Sequence, residues 1–149
     1  MQNPFVMGIL TIYYISPDEY KKFMVRGFSK IGDVLITTEA PLGIVARLDR
    51  DGVAIAQRLL TLRGKESILD TGYLYYYLKS ATGQRLKEKE TGTTVTGIKQ
   101  AEFRKILIDI PDVKEQEKIV SILSSFDNKI ALNTKINQNF TQKQITRTL

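Results

Sequence analysis

The sequence predicts an α+β protein: a small, curled, mostly antiparallel β domain with short helices, followed by one long C-terminal coiled-coil helix. Two observations support this prediction. Short runs rich in Val, Ile, Leu and Thr, each bounded by Gly, Pro or Asp, fill much of the first part of the chain, which is typical of antiparallel strands. After Pro111 neither Pro nor Gly occurs again, and apolar residues recur there at helical spacing. The predicted units are residues 1–111 and 112–149.

The N-terminal part of the chain predicts one helix among strands. The segment Phe5 to Ile15 is rich in Val, Ile and Tyr and predicts a strand or hairpin. Ser16-Pro17-Asp18-Glu19 then predicts a helix start, because the Ser hydroxyl and the Glu carboxylate can satisfy N–H groups that a first helical turn leaves unpaired. We expect this helix to end near Gly27. Four short strands are predicted after it: 33–38, 43–48, 53–56 and 59–63.

From Asp70 the pattern changes to that of a helix. Tyr73, Leu74, Tyr77 and Leu78 would share one apolar face. The neighbouring tyrosines permit two interpretations, a stacking platform for bases or a helix that lies on the sheet, and the packing interpretation is preferred. A short turn of helix and a strand over residues 105–110 complete the predicted domain.

The chain after Pro111 predicts one continuous helix. Asp112 can cap it, with Glu115 at the third helical position. About 33 residues would span about 50 Å, which is too long for a domain of about 110 residues to cover from one side. We therefore expect a partner helix. The residues of the predicted heptad seam alternate at spacings of 4 and 3: Ile119, Leu123, Phe126, Ile130, Asn133, Asn137, Phe140 and Gln144.

The composition excludes several kinds of chemistry. The chain has no Cys and no His, which excludes disulfides, thiol nucleophiles, imidazole acids or bases, and zinc sites with Cys or His ligands. The sequence also has no phosphate-loop, dinucleotide or amino-methyltransferase motif. We expect no enzyme activity, no metal and no cofactor. The first 17 residues lack the pattern of a secretory signal and no stretch is long enough for a membrane span, so a cytoplasmic protein is expected.

The charge of the chain is moderately basic. There are 22 Lys and Arg against 16 Asp and Glu, a formal net charge of +6. After Leu78 there are 13 basic and 8 acidic residues, so +5 of this charge lies in the second half. Such an excess fits nucleic acid or an acidic partner, and an ordinary solvated surface gives the same count.

Several segments in one order carry a family resemblance: Lys30-Ile31-Gly32-Asp33-Val34-Leu35-Ile36-Thr37, Pro41-Leu42-Gly43, Tyr73-Leu74-Tyr75-Tyr76-Tyr77-Leu78-Lys79-Ser80, Gly92-Thr93-Thr94, and Ile110-Pro111 followed by Glu115-Gln116 and Ile119. Over roughly residues 30–140 the chain resembles one half of the specificity subunit of Type I restriction-modification systems. The resemblance implies a non-catalytic DNA-binding protein, a target recognition domain followed by a long helix. The family usually carries two copies in tandem, whose antiparallel helices space two half-sites and dock the modification (methyltransferase) subunits.

The chain departs from that family pattern in two ways. It has one recognition-domain pattern and one helix, so it is half-sized. It also lacks the usual opening of such a domain, a Trp-containing strand and a Gly-Thr-Pro-Ser-like loop, and it contains no Trp. We expect a half-subunit whose target recognition domain is short at its N-terminus. It would pair with a second copy and direct methyltransferase and restriction subunits to a bipartite site on double-stranded DNA. The alternatives are a truncated subunit that acts as a regulatory or decoy protein without reading DNA, and a free-standing DNA-binding regulator.

Polar and cationic side chains next to the short strands are the candidates for DNA contact, because phosphates take cations and base edges take small polar or bidentate groups. The candidates are Thr37, Thr38, Glu39, Arg47, Gln57, Arg58, Arg63, Thr93, Thr94 and Lys99. For each of them a structural or surface role is the competing interpretation.

The candidates for helix pairing or partner binding lie in the long helix: Gln116, Ile119, Leu123, Phe126, Ile130, Asn133, Asn137 and Phe140. For Gln116 two roles stay open, because a polar residue in the first turn can contact either its own domain or a methyltransferase subunit. A two-fold antiparallel pair is the expected arrangement of the helices.

Overall fold

The computed structural model describes residues 15–25, 27–39, 41–84 and 97–147. Its centre is a three-stranded antiparallel sheet in the order β2-β1-β3. The strands are β1 (Val34–Thr37), β2 (Val45–Arg47) and β3 (Leu59–Leu62). The central strand β1 alternates buried and half-buried side chains, with Val34 and Ile36 facing the core.

The first helix, α1 (Pro17–Phe23), begins as the sequence predicts. The Ser16 hydroxyl accepts a hydrogen bond from the Glu19 N–H at 3.3 Å, and the Glu19 carboxylate accepts one from the Ser16 N–H at 2.8 Å. This reciprocal pair is a capping box. The helix ends before the predicted Gly27, because Met24 already leaves the helical backbone region with a ψ of 52°.

The core forms where helix α2 (Thr71–Lys79) crosses the sheet. Leu74 and Leu78 of this helix pack with Val34 and Ile36. Asp70 caps the helix by accepting a hydrogen bond from the Tyr73 N–H at 2.8 Å. Two short helices, α3 (Ala81–Gln84) and α4 (Gln100–Phe103), complete the described part of the domain.

Two predicted strands are absent from the sheet. Residues 53–56 and 105–110 both alternate between half-buried and exposed side chains, which explains why their sequence has the pattern of strands. Neither is assigned to a strand in the described ranges. The side chains of Ile106 and Ile108 pack against the core. The alternation therefore reflects burial of one side of an extended segment, which pairs with no strand within residues 15–25, 27–39, 41–84 and 97–147.

The long helix α5 (Val113–Arg147) has 35 residues and confirms the prediction of one continuous helix. Asp112 caps it by accepting a hydrogen bond from the Glu115 N–H at 3.0 Å. Its first turns lie against α2. Gly72 permits this approach, because a Cβ at that position would lie 3.0 Å from Cγ1 of Val120.

Gln116 fixes the start of α5 to the domain. Its side chain is fully buried, and its Oε1 accepts a hydrogen bond from the Asp70 N–H at 2.8 Å. Its Nε2 donates to the carbonyl oxygens of Ile68 at 3.0 Å and Pro111 at 2.8 Å. Of the two roles that the sequence left open for Gln116, the structure shows the contact with its own domain.

Among the described helices, including the 35 residues of α5, none combines the length and the apolar character that crossing a membrane requires.

Candidate nucleic-acid interface

Six of the ten candidate DNA-contact residues meet at one end of the sheet, which we call the loop end. It comprises the C-terminal end of β1, the turn that precedes β3, and the residues beside Gly97. Two backbone hydrogen bonds join these three elements: the Thr38 N–H donates to the Arg58 carbonyl at 2.9 Å, and the Ile98 N–H donates to the Thr38 carbonyl at 2.9 Å. The candidates gathered there are Thr37, Thr38, Glu39, Gln57, Arg58 and Lys99.

The two threonine hydroxyls at the loop end form hydrogen bonds within the chain. The Thr37 hydroxyl donates to the Pro41 carbonyl and accepts from the Ile44 N–H at 2.9 Å, which closes the turn between β1 and β2. The Thr38 hydroxyl donates to the Arg58 carbonyl at 3.1 Å. Both residues are half-buried. They therefore shape the loop end, as the structural interpretation of these candidates supposed.

Arg58 and Glu39 form an ion pair at the surface of the loop end. Arg58 Nε lies 2.9 Å from Glu39 Oε1, and the Arg58 side chain is 72% exposed. Exposed pairs of this kind contribute little to stability, about 0 to 1 kcal/mol, because water competes for both charges. The carboxylate of Glu39 thus orients the Arg58 guanidinium through a weak ion pair. Because little free energy is lost when this pair breaks, a phosphate can replace the carboxylate.

Gln57 and Lys99 are exposed beside this pair. The bridge between Glu39 and Gly97 places the segment that begins at Gly97 beside the end of β1. Gly97 suits this close approach, because a Cβ there would lie 2.9 Å from the Thr38 carbonyl oxygen. Thr93 and Thr94, the remaining candidates of this loop, lie outside the described residues.

Arg63 lies at the opposite end of the sheet and is engaged in the fold. Its Nε and one terminal nitrogen donate to the two carboxylate oxygens of Asp33 at 2.6 and 2.7 Å. Asp33 is buried, and the hydrogen bond from Arg63 holds the pKa of its carboxyl below the usual value. A bidentate pair with a buried carboxylate accounts for this arginine structurally.

Arg47 lies on the α2 side of the sheet, away from the loop end. Its guanidinium carbon is 5.4 Å from the centre of the Tyr75 ring, and Lys79 Nζ is 4.9 Å from the same centre. Two cations therefore contact one ring. Tyr75 and Lys79 are one helical turn apart, so their contact was predictable from the sequence, whereas the contact of Arg47 with Tyr75 depends on how α2 lies on the sheet.

The tyrosines of α2 pack within the chain, which supports the preferred interpretation. Tyr75 and Tyr77 contact the core cluster, and the Tyr73 and Tyr77 rings lie 6.3 Å apart. The Tyr76 hydroxyl donates to Asp127 Oδ2 at 2.9 Å. Burial and this hydrogen bond together raise the pKa of Tyr76 to about 12.

The structure divides the predicted helix seam into two parts. Ile119 and Leu123 are half-buried, and Leu123 shares a helix face with Gln116 and Val120, which contact the domain. The later seam residues Phe126, Ile130, Asn133, Asn137 and Phe140 are exposed, and the side chain of Gln144 lies outside the described part of the chain. Ile122 and Ile136, which the predicted seam did not include, are exposed beside these residues. The alternative spacing of 3 and 4 through Ile119, Ile122 and Phe126 could have placed Ile122 in the seam.

These exposed side chains form what we call the apolar stripe: Ile122, Phe126, Ile130, Asn133, Ile136, Asn137 and Phe140. At 3.6 residues per turn the stripe lies roughly a third of a turn around the helix from the face that carries Gln116, Val120 and Asp127. The domain therefore leaves this face uncovered in the described ranges. Those ranges also contain no group of three or more Asp, Glu, His or Cys residues arranged to hold a metal ion.

Comparison with known proteins decides the family. The family model described as "Type I restriction modification DNA specificity domain" matches residues 11–142. The chain belongs to this family. The type I restriction enzyme MjaIX specificity subunit of Methanocaldococcus jannaschii is 31% identical over 125 residues, which cover 83% of this chain and 28% of that protein.

Solved structures from type I restriction-modification (R-M) systems show the same fold. One, described as showing complex assembly and conformational transition of the type I R-M system, has a TM-score of 0.58 and 28% identity, and the match covers 80% of this chain and 29% of that one. The HsdS subunit of Thermoanaerobacter tengcongensis gives a TM-score of 0.53 at 27% identity, with 70% and 24% covered. The specificity domain described here thus spans under a third of the length of these relatives.

Proposed function

We propose that this specificity domain is a non-catalytic DNA-recognition module of a type I restriction-modification complex, and that it contacts double-stranded DNA with the loop end of its sheet. The observation that carries this proposal is the gathering of Gln57, Arg58 and Lys99 at one end of the sheet. Their side chains are exposed, and elements distant in the chain bring them together. Cations and an amide at one edge provide both phosphate contact and base contact.

Each of the three exposed side chains has a distinct expected role. Lys99 is a mobile point charge suited to a phosphate, and Arg58 can bind either a phosphate or a guanine edge through its planar fork. Gln57 can make paired hydrogen bonds with an adenine edge. Thr37 and Thr38 position these groups by closing the turns on which they stand.

The apolar stripe serves the second part of the proposed function, the pairing of two copies. Phe126, Ile130 and Phe140 are between 55% and 64% exposed. Complete burial of such a side chain from water is worth roughly 1.5 to 3 kcal/mol, and pairing would gain the part of this that corresponds to the surface still exposed. An antiparallel pair would hold two recognition domains at opposite ends and present them to a bipartite site. In this arrangement the paired domains direct a methyltransferase subunit to DNA. A restriction subunit is a further partner.

The test of DNA recognition compares two ends of one sheet. The probe is a pool of double-stranded DNA of random sequence, and binding is measured by gel shift with and without a methyltransferase subunit. We expect Arg58→Ala combined with Lys99→Ala to weaken binding at least tenfold. The matched control is Arg50→Ala combined with Lys30→Ala, which also removes two exposed cations. Arg50 is paired with a carboxylate, Asp49 at 2.9 Å, and both residues lie at the other end of the sheet. Equal losses in both variants would contradict the assignment of the loop end.

A regulatory or decoy role is the competing proposal. The apolar stripe and the loop end are separate surfaces, so the helix could bind a modification subunit or a full specificity subunit while the domain reads no DNA. The same gel shift separates the two roles. A complex with the methyltransferase subunit that fails to retain the DNA pool at low salt would favour the decoy.

A further inference from the structure

The apolar stripe is arranged symmetrically about Asn133. Phe126 and Phe140 each lie seven residues from it, and Ile130 and Ile136 each lie three residues from it. All four apolar side chains are between 41% and 64% exposed. Lys129 and Asn137, each four residues from Asn133, are also exposed. Within residues 126–140 the stripe therefore presents the same kind of apolar side chain at equal distances in both directions.

We propose that two copies of this chain pair antiparallel with Asn133 on the two-fold axis, so that Phe126 meets the partner's Phe140 and Ile130 meets the partner's Ile136. This register rests on the helix pairing proposed above. A two-fold axis brings residue 133 of both copies together and matches residues at equal distances on either side of it. Within residues 126–140 this register places Phe with Phe and Ile with Ile, while Ile122 at the end of the stripe comes opposite position 144, which is Gln.

The polar residues of the stripe find partners in the same register. The two Asn133 amides meet across the axis, where each can donate one hydrogen bond and accept another. Lys129 comes opposite the partner's Asn137, whose carbonyl oxygen can accept from the ammonium group. A shift that centred the pair between Ala131 and Leu132 would place Phe126 against Asn137 and Ile130 against Asn133, which leaves amides against apolar groups.

Charge also favours the antiparallel direction. From residue 128 to 147 the sequence has four cationic residues and no acidic one. A parallel pair would place residues 128–147 of one chain beside the same residues of the partner, where like charges repel. In the antiparallel register, residues 139–147, which contain Lys143 and Arg147, lie along residues 119–127 of the partner, a segment with Asp127 and no cation. The direction and the register thus follow from independent features of α5.

Disulfide trapping tests this register, because the chain contains no Cys and the engineered positions therefore carry the only thiols. A disulfide forms only when the two Cβ atoms come within about 3.5 to 4.5 Å. We expect Asn133→Cys to give a covalent dimer on mild oxidation. Phe126→Cys and Phe140→Cys should each fail singly, since their own copies would be about 21 Å apart along the axis at 1.5 Å per residue. The double variant F126C+F140C should cross-link.

The outcomes on a non-reducing gel separate the possible errors. Cross-linking of Phe126→Cys alone would show a parallel pair, and cross-linking of F126C+N137C without F126C+F140C would show the shifted register; either result overturns the proposal. Ser121→Cys, exposed and outside the stripe, reports random collision. Sedimentation of each variant before oxidation shows whether it still pairs. If the unmodified chain and every variant are monomeric, the helix pairing itself fails, and the register fails with it.

Discussion

The hydroxyl of Tyr76 donates a 2.9 Å hydrogen bond to Asp127 Oδ2, which lies 51 residues later in the chain. This contact ties α2, whose other face forms the core, to the long helix beyond its first turns. Together with Gln116 and Val120 it determines which face of α5 the domain covers. The orientation of the apolar stripe follows from these three contacts, since a helix that is fixed on one face must present the others to solvent.

Tyr76→Phe should weaken the attachment of α5 by about 1 kcal/mol, the net contribution of one such hydrogen bond. Burial raises the pKa of Tyr76 to about 12, so the fold favours the neutral phenol. Its stabilisation is complete below the unfolded value of about 10 and is lost as the pH rises from there through about 12. Absorbance titration of the phenolates should show that the variant has lost a tyrosine that ionises near pH 12. Loss of a tyrosine that ionises near the ordinary value of about 10 would exclude the contact.

Gln116→Ala should destabilise the domain by about 3 kcal/mol in urea denaturation. The substitution leaves the Asp70 N–H and the carbonyl oxygens of Ile68 and Pro111 without their partner, and each unsatisfied buried group costs about 1 to 3 kcal/mol. Glu117→Ala, at an exposed neighbouring position, is the control and should change stability by less than about 0.5 kcal/mol. Similar losses in both variants would remove Gln116 from its role as the anchor of the helix.

Asp33→Asn should lower stability at neutral pH by about 2 kcal/mol, the range for hydrogen bonds to charged groups. Arg63 holds the pKa of Asp33 below its usual value. The ion pair therefore contributes fully above the unfolded carboxyl value of about 3.9, and the contribution is lost as the pH falls below that value through the folded pKa. Thermal melts from pH 7 to pH 3 should show the two proteins converging at the acidic end. A constant difference across this range would contradict the assignment.

Phe126→Asp combined with Ile130→Asp should give monomers in analytical ultracentrifugation, because pairing would bury carboxylates in the stripe. The control is Ser121→Asp combined with Ser125→Asp, which adds the same charge at exposed positions outside the stripe. We expect the unmodified chain to pair at tens of micromolar, about the Kd scale of an association of −6 to −7 kcal/mol. Monomers of the unmodified chain at that concentration would contradict helix pairing.

DNA binding by the loop end should depend on salt. If the chain neutralises about four phosphates, the slope of log K against log salt is about −3.6. Glu39→Gln should raise the affinity by several-fold, because it removes the carboxylate that competes with phosphate for Arg58. Binding that stays constant between about 50 and 200 mM salt would exclude phosphate contact.

The sequence by itself determined the local elements and the domain order. The capping residues Ser16 and Asp112 lie where the sequence places them, because a cap is a contact between residues three apart. Helix α2 begins directly after Asp70, where the helical pattern was predicted to start. The apolar face of α2 and the continuous helix α5 also follow from local periodicity. The seam residues from Phe126 to Phe140, which are exposed, were visible in the sequence for the same reason.

Only the tertiary structure decided which polar residues remain accessible. Arg58 and Arg63 lie five residues apart and look alike in sequence, yet β3 sends one to the exposed loop end and the other to a buried carboxylate. The extended segment 105–110 alternates like a strand but joins no strand of the described residues. The domain also covers Leu123 while leaving Phe126 exposed. These outcomes depend on which distant segments meet, and pairing between distant segments leaves no periodic trace in the sequence.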